Sequence, residues 1–317
     1  MSHDEILLNE WEGAVWRLGH RFSRAGHDVD YLPGNGRPAA PGLSSRTMNT
    51  AIAHTRQFAP VGALLRQWRQ RRRLSQLDLA CEADISTRHL SFVETGRAQP
   101  SRQLLLHLAE QLDIPLRERN QLLVAAGFAP LFPQHRLDDP ALGAAREAVE
   151  VLLKAHEPYP ALAVDRHWNL LAANRCVAPF LAGLPEELLK PPLNVLRLSL
   201  HPQGLAPRIA NLALWREHLL ARLRRDLEIS ADPQLAALLE ELATFPAPPP
   251  APRDENAPLP MVVPLQLHSD LGLLSLISTT TVFGTAVDVT LAELTLETFF
   301  PADAATAAVL RQLAPQV

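Results

Sequence analysis

Eight arginines fall within residues 61–102, at positions 66, 69, 71, 72, 73, 88, 97 and 102, against four acids, Asp78, Glu82, Asp84 and Glu94. The stretch carries a formal +4 on a chain whose net charge is −4, leaving −8 for the remainder. Guanidinium forks match phosphate oxygens, and neutralised phosphates release counterions, so a basic island on an acidic chain is the footprint of a nucleic-acid face. For Arg71, Arg72 and Arg73 alone, a solvated helix end favoured by the helix dipole is an equal explanation. Other residue types that could do chemistry are scattered. His268-Ser269-Asp270 has the composition of a hydrolase triad, but neighbours along a strand point in different directions and do not converge. No Gly-x-Ser-x-Gly, phosphate loop or His-x-x-x-His pair occurs, and His156-Glu157 is isolated. His167 sits at an expected turn and reads as a surface residue. Cys176 could ligate a haem, though a lone cysteine near an apolar helix more often packs. No catalytic residue and no metal site is expected.

The elements around the arginines follow from spacing and caps. Leu64, Leu65 and Trp68 recur at helical intervals, with Arg66, Arg69 and Arg72 turned elsewhere, which predicts a helix over about 61–73. Ser75 with Asp78 makes a capping-box-like start for a second helix over 76–83, with Leu77, Leu79 and Ala80 available for packing. Asp84-Ile85 forms the turn. Ser86 caps a third helix over 87–95, whose Leu90 and Val93 face inward, and Gly96 stops it. Pro100-Ser101 opens a fourth helix with Leu104, Leu105, Leu108 and Leu112. Pro115 opens a fifth with Leu116, Leu122, Leu123 and Ala126, ended by Gly127.

Ser75-Gln76, Leu79-Ala80, Ile85-Ser86 and Glu94-x-Gly96-Arg97-x-x-Pro100 stand at fixed offsets, and the segment from about 60 to 126 resembles the Cro/CI-type (Xre) helix-turn-helix family. The resemblance implies that the helix after Ser86 lies in a major groove, with Thr87, Arg88 and His89 first at the base edges and Ser91 and Phe92 next. Arg88 can donate two bonds to guanine O6 and N7, and Phe92 can touch a thymine methyl or fill the core. Gln76 would clamp a phosphate with its backbone N–H and side chain, and Arg66, Arg72, Arg73, Arg97 and Arg102 would meet other phosphates.

At 317 residues, two domains are expected. Arginine carries almost all the positive charge, since Lys154 and Lys190 are the only lysines. Two cysteines, Cys81 and Cys176, build no framework and fit a reducing cytosol. With no apolar run of membrane-spanning length and Asp4 and Glu5 near the start, a cytoplasmic protein is expected. Residues 1–58 read as a weakly structured extension, with a short amphipathic helix around Trp11, Trp16, Leu18 and Phe22 and a Pro/Gly linker over 32–42. Met48 is a candidate true start.

The helical pattern breaks at 127–140, so the head is placed at 59–127, a linker at 128–145 and a second domain at 146–317. Residues 141–155 read as a helix with Val149, Leu152 and Leu153 on one side. Ala161–Asp165 and Trp168–Asn174 read as strands around an Arg166-His167 turn, and 192–243 as broken helix carrying Trp215, Leu219, Leu220 and Leu223. Residues 245–260 are Pro-rich and expected as an extended loop. Residues 261–268, 271–283 and 291–299 read as strands and 302–313 as a helix. This order, in which two strands, a helical insert, three strands and a helix follow one another, is PAS-like.

Residues 158–174 (PYPALAVDRHWNLLAAN), Asp288-Val-Thr-Leu-Ala-Glu-Leu and Glu297-Thr-Phe-Phe-Pro-Ala-Asp303 look like the MmyB-like transcription regulators, as does Ser86-Thr-Arg-His-Leu-Ser-Phe-Val-Glu-Thr-Gly-Arg97. The resemblance spans about 60–315 and implies a small, largely apolar ligand such as a fatty acid. The expected fold is an all-α five-helix helix-turn-helix domain followed by an α+β PAS-like domain. Trp168, Phe180, Leu181, Leu196, Leu214, Trp215 and Leu219 are the candidate pocket, and Arg175, Arg197 and Arg208 are candidate carboxylate partners. The expected function is a non-enzymatic, homodimeric regulator that binds a double-stranded DNA operator. The alternative is a helical head used as an antitoxin-like or phage-type protein adaptor.

Overall fold

The computed structural model describes residues 59–249 and 262–314. The expected N-terminal helix, the linker over 32–42, Met48 and most of the Pro-rich loop lie outside these residues.

Five helices form the head: α1 (Val61–Arg71), α2 (Gln76–Glu82), α3 (Thr87–Glu94), α4 (Arg102–Gln111) and α5 (Leu116–Ala125). Their starts are where the caps put them. Ser75 Oγ accepts from Asp78 N–H while the Asp78 carboxylate accepts from Ser75 N–H, a complete capping box. Ser86 and Ser101 each accept from the N–H three residues on. The helix ends need left-handed backbone, which Gly96 (φ 74°) and Gly127 (φ 86°) supply easily and Asp84 (φ 50°) supplies within the turn. Arg73 (φ 58°) also takes it, and α1 stops at Arg71, two residues short of the expected end.

Leu65, Leu79, Leu90, Leu105, Leu108, Leu112, Ile114, Leu122 and Leu123 fill the head's core. Each such side chain contributes about 1.5–3 kcal/mol when fully buried. Leu77 differs from expectation: it is 61% exposed, because the face of α2 that meets the core runs through Leu79 and Ala80, with Ala83 just beyond. Gly62 lets α1 approach α3, since a Cβ there would lie 2.3 Å from the Val93 carbonyl oxygen.

The second domain begins with α6 (Gly143–Ala155), after a 3-10 turn at Pro140–Leu142. Val149 and Leu153 bury, but Leu152 is largely exposed. Strands β1 (Ala161–Val164) and β2 (Leu170–Ala173) are followed by short helices α7 (Ala178–Leu181), α8 (Glu186–Leu189) and α9 (Val195–Leu200), then the long α10 (Leu212–Ser230) and α11 (Pro233–Thr244). Next come β3 (Leu265–Ser269), β4 (Gly272–Val282), helical turn α12 (Val289–Ala292), β5 (Thr295–Pro301) and α13 (Ala304–Leu313). Leu291 belongs to α12 rather than to a strand, because Asp288 caps that turn by accepting from Thr290 and Leu291 N–H.

All pairings are antiparallel, in the order β2-β1-β5-β4-β3. The sheet is one curled layer with two packed faces. Ala161, Ala163 and Leu296 turn toward α6, while Val164, Leu267, Leu274 and Leu276 turn toward the helical insert. Period-two alternation of small and large residues sorts them. Buried Asn174 ties α6 to the sheet edge, accepting from Ala161 N–H and donating to the Leu153 and Tyr159 carbonyls. The five-helix head followed by an α+β domain is the architecture expected.

Candidate nucleic-acid interface and ligand cavity

Helix α3 stands on the head with its inner face anchored and its outer face free. Leu90 and Val93 hold it to the core. Arg88 and His89 are exposed, and Thr87, Ser91 and Phe92 are half-buried at the margin. Phe92 lies outside the core cluster, and the Arg88 guanidinium sits 5.3 Å from its ring centroid. Arg66, Arg73, Arg97 and Arg102 are exposed on the head's surface.

Two residues expected at phosphates are engaged elsewhere. Arg72 donates from Nε to the Leu112 carbonyl and from Nη2 to the Asp113 carbonyl, both at 2.8 Å, so it caps the end of α4. Gln76 donates one side-chain amide hydrogen to Glu94 at 2.8 Å, which leaves its backbone N–H and the second amide hydrogen to meet an anion. Arg69, expected to turn outward, is buried: Nε and Nη2 meet the two Glu94 oxygens at 2.6 and 2.9 Å, and Nη1 meets the Leu74 carbonyl. Burial opposes charge on Glu94, but hydrogen bonds from Arg69 and Gln76 outweigh it and hold the carboxyl below its usual range. This buried fork fixes α3 relative to α1 and α2.

A partly open cavity of about 120 Å³ lies between the sheet and the helical insert of the second domain. Trp168, Phe180, Leu181, Leu196, Trp215 and Leu219 line it. Leu214 does not: on α10 it falls one position from Trp215, off the face that Trp215 and Leu219 share. Leu162, Leu267, Leu276 and Phe299 complete much of the wall from the sheet. Arg175, Arg197 and Arg208 are absent from the lining. Arg175 pairs with Glu157 at 2.8 Å, Arg197 takes both oxygens of Glu241 at 2.5 and 2.7 Å, and Arg208 reaches the Phe180 and His268 carbonyls.

The charges in the wall are instead Arg222 of α10 and Glu297 of β5, joined at 2.5 and 3.1 Å. Sequence reasoning missed both. No local pattern links residues 75 apart, although Arg222 follows Trp215 and Leu219 on the inward stripe of α10. Trp168 has φ 66°, a left-handed backbone that bulky side chains rarely adopt. Its indole is held on both sides: Nε1 donates to Asp226 at 3.2 Å, and the Arg222 guanidinium lies 4.4 Å from the ring centroid. Cys176 is buried, and burial pushes its thiol up to about 11. Ser269 donates to the Gly272 carbonyl within the β3–β4 turn, and neighbouring His268 is exposed.

A charged cluster joins head and second domain. Arg117 of α5 binds both oxygens of Glu293 at 2.8 and 2.7 Å. Arg166 Nη1 lies 3.8 Å from Glu118 of α5, 3.2 Å from Asp232 and 3.6 Å from Glu293. His167, expected at the surface, is half-buried and bonds Asp232 at 2.9 Å. Burial pushes the Glu118 carboxyl up to about 7. The linker is also fastened: Asn120 of α5 binds Leu131 and Phe132, and Asp288 accepts from His135. The turn between β1 and β2 thus places Arg166 and His167 in the cluster and Trp168 in the cavity wall.

Among the described residues no helix is long and apolar enough to cross a membrane. Residues 60–122 match the family model of a helix-turn-helix domain. Residues 145–313 match that of the MmyB-like transcription regulator ligand binding domain. No curated protein matches the chain.

Proposed function

The chain belongs to the MmyB-like transcription regulators, and on that premise we propose that α3 reads an operator while the cavity of the second domain senses a small apolar molecule. The observation that carries the first half is the presentation of α3. Its inner side is locked by Leu90, Val93 and the Arg69–Glu94 fork, and its first turn faces solvent with Arg88 and His89 free. Thr87, Arg88 and His89 approach base edges, with Ser91 and Phe92 further along the groove. Arg66, Arg73, Arg97, Arg102 and the Gln76 backbone N–H take phosphates. Two copies acting on two half-sites give the contact area one small head lacks. The reading places the protein in the cytoplasm, with its DNA.

The apolar wall suits a hydrocarbon ligand, the broad class that includes fatty acids. Such a ligand regulates only by binding two arrangements of the molecule unequally. The β1–β2 turn supplies a physical route, because displacing Trp168 shifts Arg166 and His167 against Glu118 and Asp232.

The test is operator selection followed by binding across a salt series. A DNA reader gives a log–log slope of about −0.9 per phosphate neutralised. Arg88→Ala should cost about 1–3 kcal/mol at one base position and relax selectivity there. A salt-independent interaction with DNA, or none, removes this reading and leaves a protein adaptor.

A further inference from the structure

We propose that the cleft between the head and the second domain is a separate binding site, for a small organic ammonium compound whose cation seats on Glu118. The cleft is partly open, and both domains build it. Helix α1 gives it Leu64 and Trp68 as an apolar wall, and α5 gives Glu118. The β1–β2 turn gives Arg166, and the α10–α11 junction gives Asp232. A molecule held here touches both halves of the chain and has no part in the apolar cavity. The charged groups facing its floor are Arg117, Arg166, Asp232, Glu293 and His167, and most of them are spent on one another. Arg117 donates to both oxygens of Glu293 at 2.8 and 2.7 Å. Asp232 bonds His167 at 2.9 Å, accepts from Gln234 N–H at 2.8 Å, and has Arg166 Nη1 at 3.2 Å. Glu118 is left out. It is only 9% exposed, yet it lines the cleft, and its carboxyl has no hydrogen bond to another side chain among the described residues. Its one ion-pair contact among them is Arg166 at 3.8 Å, beyond hydrogen-bond length.

A buried carboxyl without donors holds its proton, and burial pushes this one up to about 7. An ammonium group supplies what is missing: a compact charge with three N–H donors, which makes charge-assisted hydrogen bonds to the ionised carboxyl. A metal ion fits less well, because no group of three metal-ligating side chains occurs among the described residues. The rim suits a polar tail. Gln67, Gln121 and Gln234 are exposed there, and their side-chain amides make no hydrogen bond among the described residues. Arg71 is exposed beside them, its guanidinium 5.5 Å from the Trp68 ring centroid. That guanidinium favours a tail that ends in a carboxylate.

The test uses the full chain with three probes of one skeleton: butylamine, 4-aminobutyrate and butyrate. Calorimetry at pH 8 should show butylamine and 4-aminobutyrate binding, the second more tightly, and butyrate should not displace butylamine. Because the ammonium binds the ionised carboxyl, both amines should bind about tenfold more weakly at pH 6 and release close to one proton on binding there. Glu118→Gln should cut butylamine binding at pH 8 by about tenfold or more and erase its pH dependence. Arg71→Gln, at an exposed position, should weaken 4-aminobutyrate by about two- to fivefold, the range for an exposed ion pair, and leave butylamine unchanged. Should Glu118→Gln fail to fold, proton release by the unmodified chain decides alone, and binding without it overturns the proposal. The proposal also falls if butylamine does not bind the unmodified chain, or binds Glu118→Gln equally well, as it would if held in the apolar cavity.

Discussion

Arg69, Arg72 and Arg73 lie within five residues, and each ends in a different electrical environment. Arg69 neutralises Glu94 in the core, Arg72 satisfies orphan carbonyls at the end of α4, and Arg73 projects into solvent. Only the last has its charge available to DNA. Arg72→Ala should therefore lower stability by about 1–3 kcal/mol, the range for hydrogen bonds from a charged group, and leave the salt slope intact. Arg73→Ala should do the reverse, reducing the slope by about one with little change in melting temperature. Thermal unfolding and salt-dependent operator binding, run side by side, check both. A loss of slope without a loss of stability in Arg72→Ala would return that residue to the phosphate-contacting set. The serine caps and the outward turn of α3 were legible because each depends on residues three or four apart. The inward turn of Arg69 was not, since its explanation, Glu94, lies on another helix and an arginine-rich helix offers no contrast between its faces.

Among the elements that couple the two halves are one short turn and one helix. The β1–β2 turn touches the cavity at Trp168 and the cluster at Arg166 and His167, while α5 brings Arg117 and Glu118. Glu118 faces Arg117, Arg166 and Glu293, and burial is the main reason its carboxyl is pushed up to about 7 from its ordinary 4.5. A carboxyl that holds its proton more tightly when folded stabilises the fold at low pH. That contribution is complete below about 4.5 and is lost as pH rises through about 7. Glu118→Gln, always neutral, should remove this decline: its melting temperature should fall less than that of the unmodified chain between those two values. Parallel curves would place Glu118 in water. The sequence signalled the turn at Arg166-His167 but not what it faces. Likewise the strand expected over 291–299 takes in Leu291 and Ala292, which the Asp288 cap makes part of a helical turn, so that β5 starts only at Thr295.

At the scale of the whole molecule, the basic head and acidic remainder divide the labour of binding and sensing. Native mass spectrometry of the operator complex should find two chains per palindromic site; one chain with full affinity would remove the half-site argument. The head was legible almost to its ends because its core is built from helices in sequence. The second domain's strand order was legible as a pattern, whereas the polar end of its cavity was hidden by the separation of Arg222 from Glu297.

Strand β5 is the hinge of the second domain's assembly. It pairs Ala161 with Thr298 on one side and Thr279 with Thr298 on the other, so neither half of the sheet can close without it. During synthesis, at about 5–20 residues per second, it emerges on the order of ten seconds after β1. The head, whose contacts are local, needs no such wait. On the proposed reading, a nascent chain in that interval carries its DNA-facing helix before the cavity that would sense a ligand has closed, and every arrested or truncated product that ends before Thr295 is left permanently in that condition.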